Sequence, residues 1–204
     1  MEKYLMSLRP YTAIFLVFTL ACFELEAAEY DYYTDNPRAR KEINIVIKHH
    51  WDNAVSAVDA LRYKSGIAEL DYILRYIPNH PRALLLLSKL TISLGRTSKA
   101  DPYFENAIKF GPQYENSYSV YGIHLFRSGR YKKSIKKFKA ALSINPNSSE
   151  IHYNIGLTYF AIKDIQNTKI HAQKAYILGY PFPGLREKLK SVGQWDEKIV
   201  SNPE

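Results

Sequence analysis

A period of 34 residues limits what this chain can fold into more than any other feature of its sequence. Residues of matching type recur at this distance in several columns: Gly95 and Gly129; Phe104 and Phe138; Pro112 and Pro146; Ser88, Gly122 and Gly156; Ala100, Ser134 and Thr168; Ala107, Ala141 and Ala175. A fixed period of this length indicates one small structural unit that is repeated and stacked on its neighbours. We therefore expect an array of repeats.

Each column suits a position in a pair of packed helices. A small residue such as Gly122 allows two helices to cross closely, and the alanine columns keep a second helix close to its neighbours. Gly95 and Gly129 suit a tight turn, because glycine adopts a positive φ at the lowest cost. Pro112 and Pro146 would end each unit, since proline does not continue a helix.

These columns resemble the tetratricopeptide repeat, a helix–turn–helix unit of the same length. The resemblance extends without a gap over three windows, 81–114, 115–148 and 149–182. It implies an all-α fold, a right-handed superhelical stack of such units with a C-terminal capping helix. The third window departs most from the pattern, with Lys163 at the glycine position of the turn and Ala172 where a large apolar residue is usual.

The flanking segments are assigned by the same register. Residues 42–80 are predicted to form a degenerate helical repeat, because Pro78 aligns with Pro112 and Ala54 takes the place of the small crossing residue. Residues 29–41 contain Pro37 and show no helical period, so we expect an extended N-terminal arm. Residues 183–204 are predicted to be a capping helix, Gly184–Ser191, followed by a tail.

The N-terminus has the layout of a secretory signal peptide, assigned to residues 1–28. A segment containing Lys3 and Arg9 precedes 13 uncharged residues, 11–23, which is below the roughly 20 needed to span a bilayer. Cleavage is expected after Ala27 or Ala28, which makes the mature chain an exported, periplasmic protein. The alternative is a lipoprotein anchored through Cys22, the single cysteine, because residues 19–22 loosely match a lipoprotein cleavage box.

The sequence carries little that would support catalysis. It lacks a phosphate loop, a dinucleotide-binding fingerprint, a nucleophile elbow and a zinc-protease helix. Among the six histidines, His49 and His50 are adjacent and would point about 100° apart on a helix, which is poor geometry for one metal ion. His152 falls in a core column. We therefore predict a protein without enzymatic activity, cofactor or metal site.

The resemblance implies that a protein or peptide partner binds along the concave face formed by the first helix of each unit. We refer to the side chains predicted to face it as the groove: Leu85, Lys89 and Ile92; Ser119, Ile123, Phe126 and Arg127; Tyr153, Leu157 and Phe160. This set is mostly apolar, and exposed apolar surface often marks a binding site. The alternative is that the chain's own arm, through residues 30–33, fills the groove.

A second candidate surface is the lysine cluster of the middle unit: Lys132, Lys133, Lys136, Lys137 and Lys139. Its position on a second helix predicts that it covers the convex face, and the chain as a whole has a net charge of +8. We expect a non-catalytic adaptor or scaffold of the bacterial cell envelope. The alternative is a binder of anionic polymer or lipid through the lysine cluster, whose contacts would weaken as salt rises. Nucleic acid is not expected as a partner of an exported protein.

Overall fold

The structure, a computed structural model, describes residues 29–195. The predicted signal peptide, with Cys22, lies outside this range. The regular elements in the described range are α-helices and one 3₁₀ turn at Thr97–Ala100: α1 Pro37–Asp59, α2 Tyr63–Tyr76, α3 Pro81–Ser93, α4 Asp101–Phe110, α5 Glu115–Arg127, α6 Tyr131–Ile144, α7 Ser149–Ala161, α8 Ile165–Ile177 and α9 Gly184–Ser191. The predicted all-α class is confirmed.

The helices form four successive hairpins, α1–α2, α3–α4, α5–α6 and α7–α8, and each hairpin packs on the next. Within the α3–α4 hairpin, α3 contacts the 3₁₀ turn Thr97–Ala100 that leads into α4. The first helices α3, α5 and α7 also contact one another in order, so they form a continuous inner layer. The second helices lie outside this layer. Helix α9 packs on α7 and α8 and closes the C-terminal end of the stack. This arrangement is the stack of helix–turn–helix units with a capping helix that the sequence predicts.

The N-terminal arm is shorter than predicted, because α1 begins at Pro37 and not after residue 41. The side chain of Asn36 caps this helix and accepts hydrogen bonds from the backbone N–H groups of Arg38 and Ala39. Proline is favoured at the first helical position, where its missing N–H costs nothing. Pro37 therefore starts a helix, and the expectation of extended chain over the whole of residues 29–41 was wrong.

The turn inside each hairpin contains one residue with a positive φ, at the same position in all four units. Gly95 and Gly129 have φ values of 66° and 74°, and Leu61 and Lys163, at the equivalent positions, have φ values of 58° and 62°. The left-handed conformation costs a residue with a side chain about 1–2 kcal/mol. The turn geometry is thus imposed by the stack even where glycine is absent.

Replacing the two strained residues with glycine should stabilise the protein. Leu61 is 70% exposed, so Leu61→Gly gives up almost no packing while it relieves the positive φ. We expect an increase of roughly 1 kcal/mol in the free energy of unfolding for Leu61→Gly, and a similar gain for Lys163→Gly. Chemical denaturation measures both. Gly129→Leu is the matched reverse change and should destabilise, and a loss of stability in both glycine variants would contradict the account.

The α5–α6 hairpin shows how closely the two helices cross. A methyl group added at Gly122 would lie only 2.6–2.9 Å from three ring atoms of Phe138 on the partner helix. In the α7–α8 hairpin the residue equivalent to Phe138 is Ala172, and the side chain of Leu185 from α9 fills that space, 2.5 Å from where a methyl group at Gly156 would lie. The capping helix therefore supplies the large apolar residue that α8 lacks.

Candidate functional site

The groove is open over α3 and α5. Leu85, Ile92, Ile123 and Phe126 are half-buried, which leaves part of each apolar side chain accessible along the inner layer. Lys89 and Arg127 are exposed. Ser119 is buried, with 6% of its surface exposed, so it serves packing and offers little contact area.

The part of the groove on α7 contacts the C-terminal segment of the chain. The ring of Tyr153 stacks on that of Tyr180 with centroids 4.1 Å apart, and the Lys188 ammonium lies 5.6 Å from the centroid of the Phe160 ring. Leu157 belongs to the same cluster, which packs around Leu185 of α9. Tyr153, Leu157 and Phe160 are half-buried and help to hold the cap. We refer to the rest of the groove, on α3 and α5, as the accessible groove.

The accessible groove carries positive charge. Helix α3 contains no acidic residue, and the acid of α5 is Glu115 in its first turn. Arg82, at the start of α3, places its guanidinium 4.4 Å from the centroid of the Trp51 ring on α1. Together with Lys89 and Arg127, it surrounds the apolar side chains with cations. This combination favours an apolar ligand that also carries carboxylates.

A buried polar network fixes α5 against the unit before it. His124 is fully buried, with Nδ1 2.8 Å from the Ser88 hydroxyl oxygen and Nε2 3.1 Å from the carbonyl oxygen of Thr97. Arg130 donates two hydrogen bonds to the Asp101 carboxylate, at 2.5 and 2.9 Å. Burial of His124 and the charge of Arg130 lower the pKa of the imidazole, which keeps it neutral. The network sets the spacing of α3 and α5, on which the width of the groove depends.

The arm contacts the loops between units. The Asp31 carboxylate accepts hydrogen bonds from the Tyr114 hydroxyl at 2.5 Å and the Asn79 side-chain amide at 2.7 Å. Tyr32 packs on His80, and Tyr33 on Tyr114, each with ring centroids 4.6 Å apart. These contacts lie on the α2–α3 and α4–α5 loops, at one edge of the stack. They place the arm beside the groove, which argues against the arm as its occupant.

Four members of the lysine cluster, Lys132, Lys133, Lys136 and Lys139, are exposed on the outside of α6. Lys137 differs, since its ammonium lies 4.8 Å from the centroid of the Tyr121 ring and is partly buried there. The structure therefore brings together four of the five lysines as a free basic surface. Lys137 packs against the neighbouring helix.

His152 and His171 serve the packing of the helices. His152 and His171 join α7 to α8 through their Nδ1 atoms, 3.0 Å apart, and His152 Nε2 is 3.1 Å from the carbonyl oxygen of Pro146. Among residues 29–195 no group of three or more histidine, cysteine, aspartate or glutamate side chains is arranged to hold a metal ion. None of the helices in that range is long and apolar enough to cross a membrane.

Comparison with known proteins identifies the repeats. A family model described as "TPR repeat" matches residues 122–163, and one described as "Tetratricopeptide repeat" matches residues 81–114. These two segments of the chain are tetratricopeptide repeats. Both matched segments lie within the part of the chain that carries the 34-residue columns.

Solved structures of proteins with such repeats share the fold of this chain. The structure from a functional characterisation of PilF of Pseudomonas aeruginosa is 16% identical, with a TM-score of 0.57 over 74% of this chain and 71% of that one. The crystal structure of YrrB, described as a TPR protein with an unusual peptide-binding site, is 17% identical, with a TM-score of 0.54 over 75% of this chain and 82% of that one. At these identities the likeness concerns the fold alone.

Relatives found by sequence are much longer. A DnaJ homolog subfamily C member 7 homolog of Schizosaccharomyces pombe is 23% identical over 147 residues, which cover 62% of this chain and 31% of the relative. The chain thus spans about a third of the length of that curated relative. The activity of the longer protein is not part of the likeness.

Proposed function

We propose that this tetratricopeptide repeat protein is a non-catalytic adaptor of the bacterial cell envelope, which binds an extended segment of a partner protein in the groove of α3 and α5. The observation that carries the proposal is the difference between α5 and α7. Ile123 and Phe126 are half-buried and lie outside the cluster around the cap, whereas Leu157 and Phe160 at the equivalent positions, also half-buried, pack on that cluster. The cap thus limits the inner layer at α7, and α3 and α5 offer a bounded binding site.

The chemistry of the groove favours a segment with apolar and acidic residues. Leu85, Ile92, Ile123 and Phe126 supply apolar contact area, and a ligand that buries them gains the hydrophobic free energy of that surface. Lys89 and Arg127 are exposed beside them and would pair with carboxylates of the ligand. Such charges contribute to the choice and orientation of a partner more than to raw affinity.

A phage-displayed library of random peptides, selected against the protein, tests this preference. We expect enrichment of peptides that combine aspartate or glutamate with large apolar residues. An apolar anchor in a groove typically contributes about 2 kcal/mol or more, so Ile123→Ser and Phe126→Ser should each weaken the best peptide by about thirtyfold. Isothermal titration calorimetry measures the dissociation constants, and circular dichroism checks that the variants fold.

Charge reversal gives a second comparison that spares the core. The double variant Lys89→Glu with Arg127→Glu changes two exposed groove residues and should weaken the binding of acidic peptides. The matched control, Lys132→Glu with Lys136→Glu, makes the same change in charge on the outside of α6 and should leave affinity within a few-fold of the parent protein. Equal losses in the two double variants would overturn the groove as the binding site.

Export is the second part of the proposal, and it is supported by the charged start, short apolar run and small residues of segment 1–28. Mass spectrometry of the protein purified from its native host should find a mature N-terminus at Ala28 or Glu29. An intact Met1 would contradict processing. A fatty-acid-bearing Cys22 as the first residue would replace the soluble periplasmic form with an anchored lipoprotein.

A further inference from the structure

The outside of α6 carries a row of positive charge. Lys132, Lys136 and Lys139 follow one another at intervals of four and three residues, which places them on one side of the helix. All three are exposed. Within residues 29–195, Arg75 pairs with Asp71 and Arg130 with Asp101, and none of the three lysines lies at ion-pair distance from a carboxylate. The row is therefore not neutralised by neighbouring acids.

A pair of exposed isoleucines, here called the apolar row, lies on the equivalent side of α8, where Gln166 and Gln173 take the places of Lys132 and Lys139. Ile170 occupies the position of Lys136 in the next unit, and Ile177 lies two turns further along the same side of the helix. They are 39% and 54% exposed, which is unusual for isoleucine side chains. We refer to the lysine row of α6 and the apolar row of α8 together as the outer face.

The two rows lie on the same side of the stack, because Ile170 has in the α7–α8 hairpin the position that Lys136 has in the α5–α6 hairpin. Helices α6 and α8 both pack on α7. The outer face does not continue onto α4, because the residues at the same positions there are Pro102 and Glu105. The result is a bounded surface of lysines beside exposed apolar side chains, on the side of the stack away from the groove.

We propose that the outer face docks on a membrane surface that contains anionic lipid. Lysines near such a surface are attracted by its negative potential, and apolar side chains beside them enter the boundary between headgroups and acyl chains. Lys132, Lys136 and Lys139 match the first requirement, and Ile170 and Ile177 match the second. Docking through this face leaves the groove of α3 and α5 free for a protein partner.

A fluorophore placed on the outer face tests the proposal. In the full chain, Cys22→Ser removes the native thiol and Gln173→Cys accepts an environment-sensitive label between Ile170 and Ile177. Its emission should shift to the blue with vesicles of phosphatidylcholine and phosphatidylglycerol, and not with phosphatidylcholine alone. The label reports on α8, so binding through segment 1–28 would not produce this shift. High salt should abolish it.

Variants of each row measure how much that row contributes to binding of the anionic vesicles. Each lysine near an anionic surface contributes roughly fivefold to the partition coefficient, so the triple change Lys132→Gln, Lys136→Gln and Lys139→Gln should lower it by roughly a hundredfold. Ile170→Ser with Ile177→Ser should lower it by about tenfold or more. The matched control is Lys41→Gln, Lys48→Gln and Lys64→Gln, which removes the same charge from α1 and α2 and should change it by no more than a few-fold.

Three results would overturn the proposal. The first is a label that does not respond to anionic vesicles. The second is equal loss of partitioning in the two lysine triples, which would mean that net charge acts and not this face. The third is a blue shift that needs no vesicles and grows with protein concentration, which would assign the outer face to a second copy of the chain.

Discussion

Gly122→Arg should unfold the stack or lower its melting temperature by about 10 °C or more. The first atom of any side chain at this position would already lie 2.6 Å from the Phe138 ring, and the site is buried between α5 and α6. Overpacking costs about 1–3 kcal/mol, and an unpaired buried charge adds several more. We therefore expect a loss of about 4 kcal/mol or more, measured by thermal and chemical denaturation.

A smaller change separates the steric cause from the effect of the charge. Gly122→Ala should cost about 1–3 kcal/mol, and the same change in a Phe138→Leu background should cost less than about 1 kcal/mol, because the shorter side chain makes room. An unchanged melting temperature in Gly122→Arg would mean that the column of small residues is not the close-packed one. Equal costs of Gly122→Ala in both backgrounds would remove Phe138 from the explanation.

Acid should destabilise the protein well before its carboxylates titrate. Burial lowers the pKa of His80 from 6.5 to about 4, and burial with the nearby His152, Lys174 and Lys139 lowers the pKa of His171 to about 4. The unfolded chain therefore binds protons between these values that the folded chain does not. The free energy of unfolding should fall as pH decreases from about 6.5 towards 4, by about 3 kcal/mol for His80 alone and by less for the partly exposed His171.

Denaturation series between about pH 7 and about pH 4.5 measure the slope of the free energy of unfolding against pH. Most carboxylates stay ionised in this range. His80→Asn is the informative variant, because asparagine can keep the cap that His80 Nδ1 provides by accepting from the Ala83 N–H. It should reduce the slope even if it also lowers stability at pH 7. A free energy of unfolding that does not change over this range would contradict the neutral, buried state of these histidines.

The periodic part of the fold could be predicted from the sequence because each repeat position has one physical task. The small residue at 122 and the glycines at 95 and 129 are required by a close crossing and by a positive φ, and the structure places them accordingly. Gly66 belongs to the column of Ala100 and was available as a further sign of the first unit. The start of α1 was missed because Pro37 was read as a helix breaker, although Asn36 before it is a capping residue.

The groove could be predicted only in part. The positions that face inward follow from the register, but the register does not say what covers them. Tyr153 meets Tyr180, 27 residues further along the chain, through the path taken by the segment that leads to α9. One signal was present: Ala172 leaves a space that a large residue must fill, and Leu185 follows at the start of the predicted cap. The partner site on α3 and α5 stays a prediction.

Site-specific crosslinking in the native host tests the central claim most directly. A photoreactive amino acid at position 123, in the groove, should give a crosslinked product with a partner protein, identified by mass spectrometry, in which the attached peptide contains acidic and apolar residues. The same amino acid at position 133, an exposed lysine site on α6, should not give that product. A product that forms from position 133 and not from position 123 would contradict the assignment of the groove as the partner site.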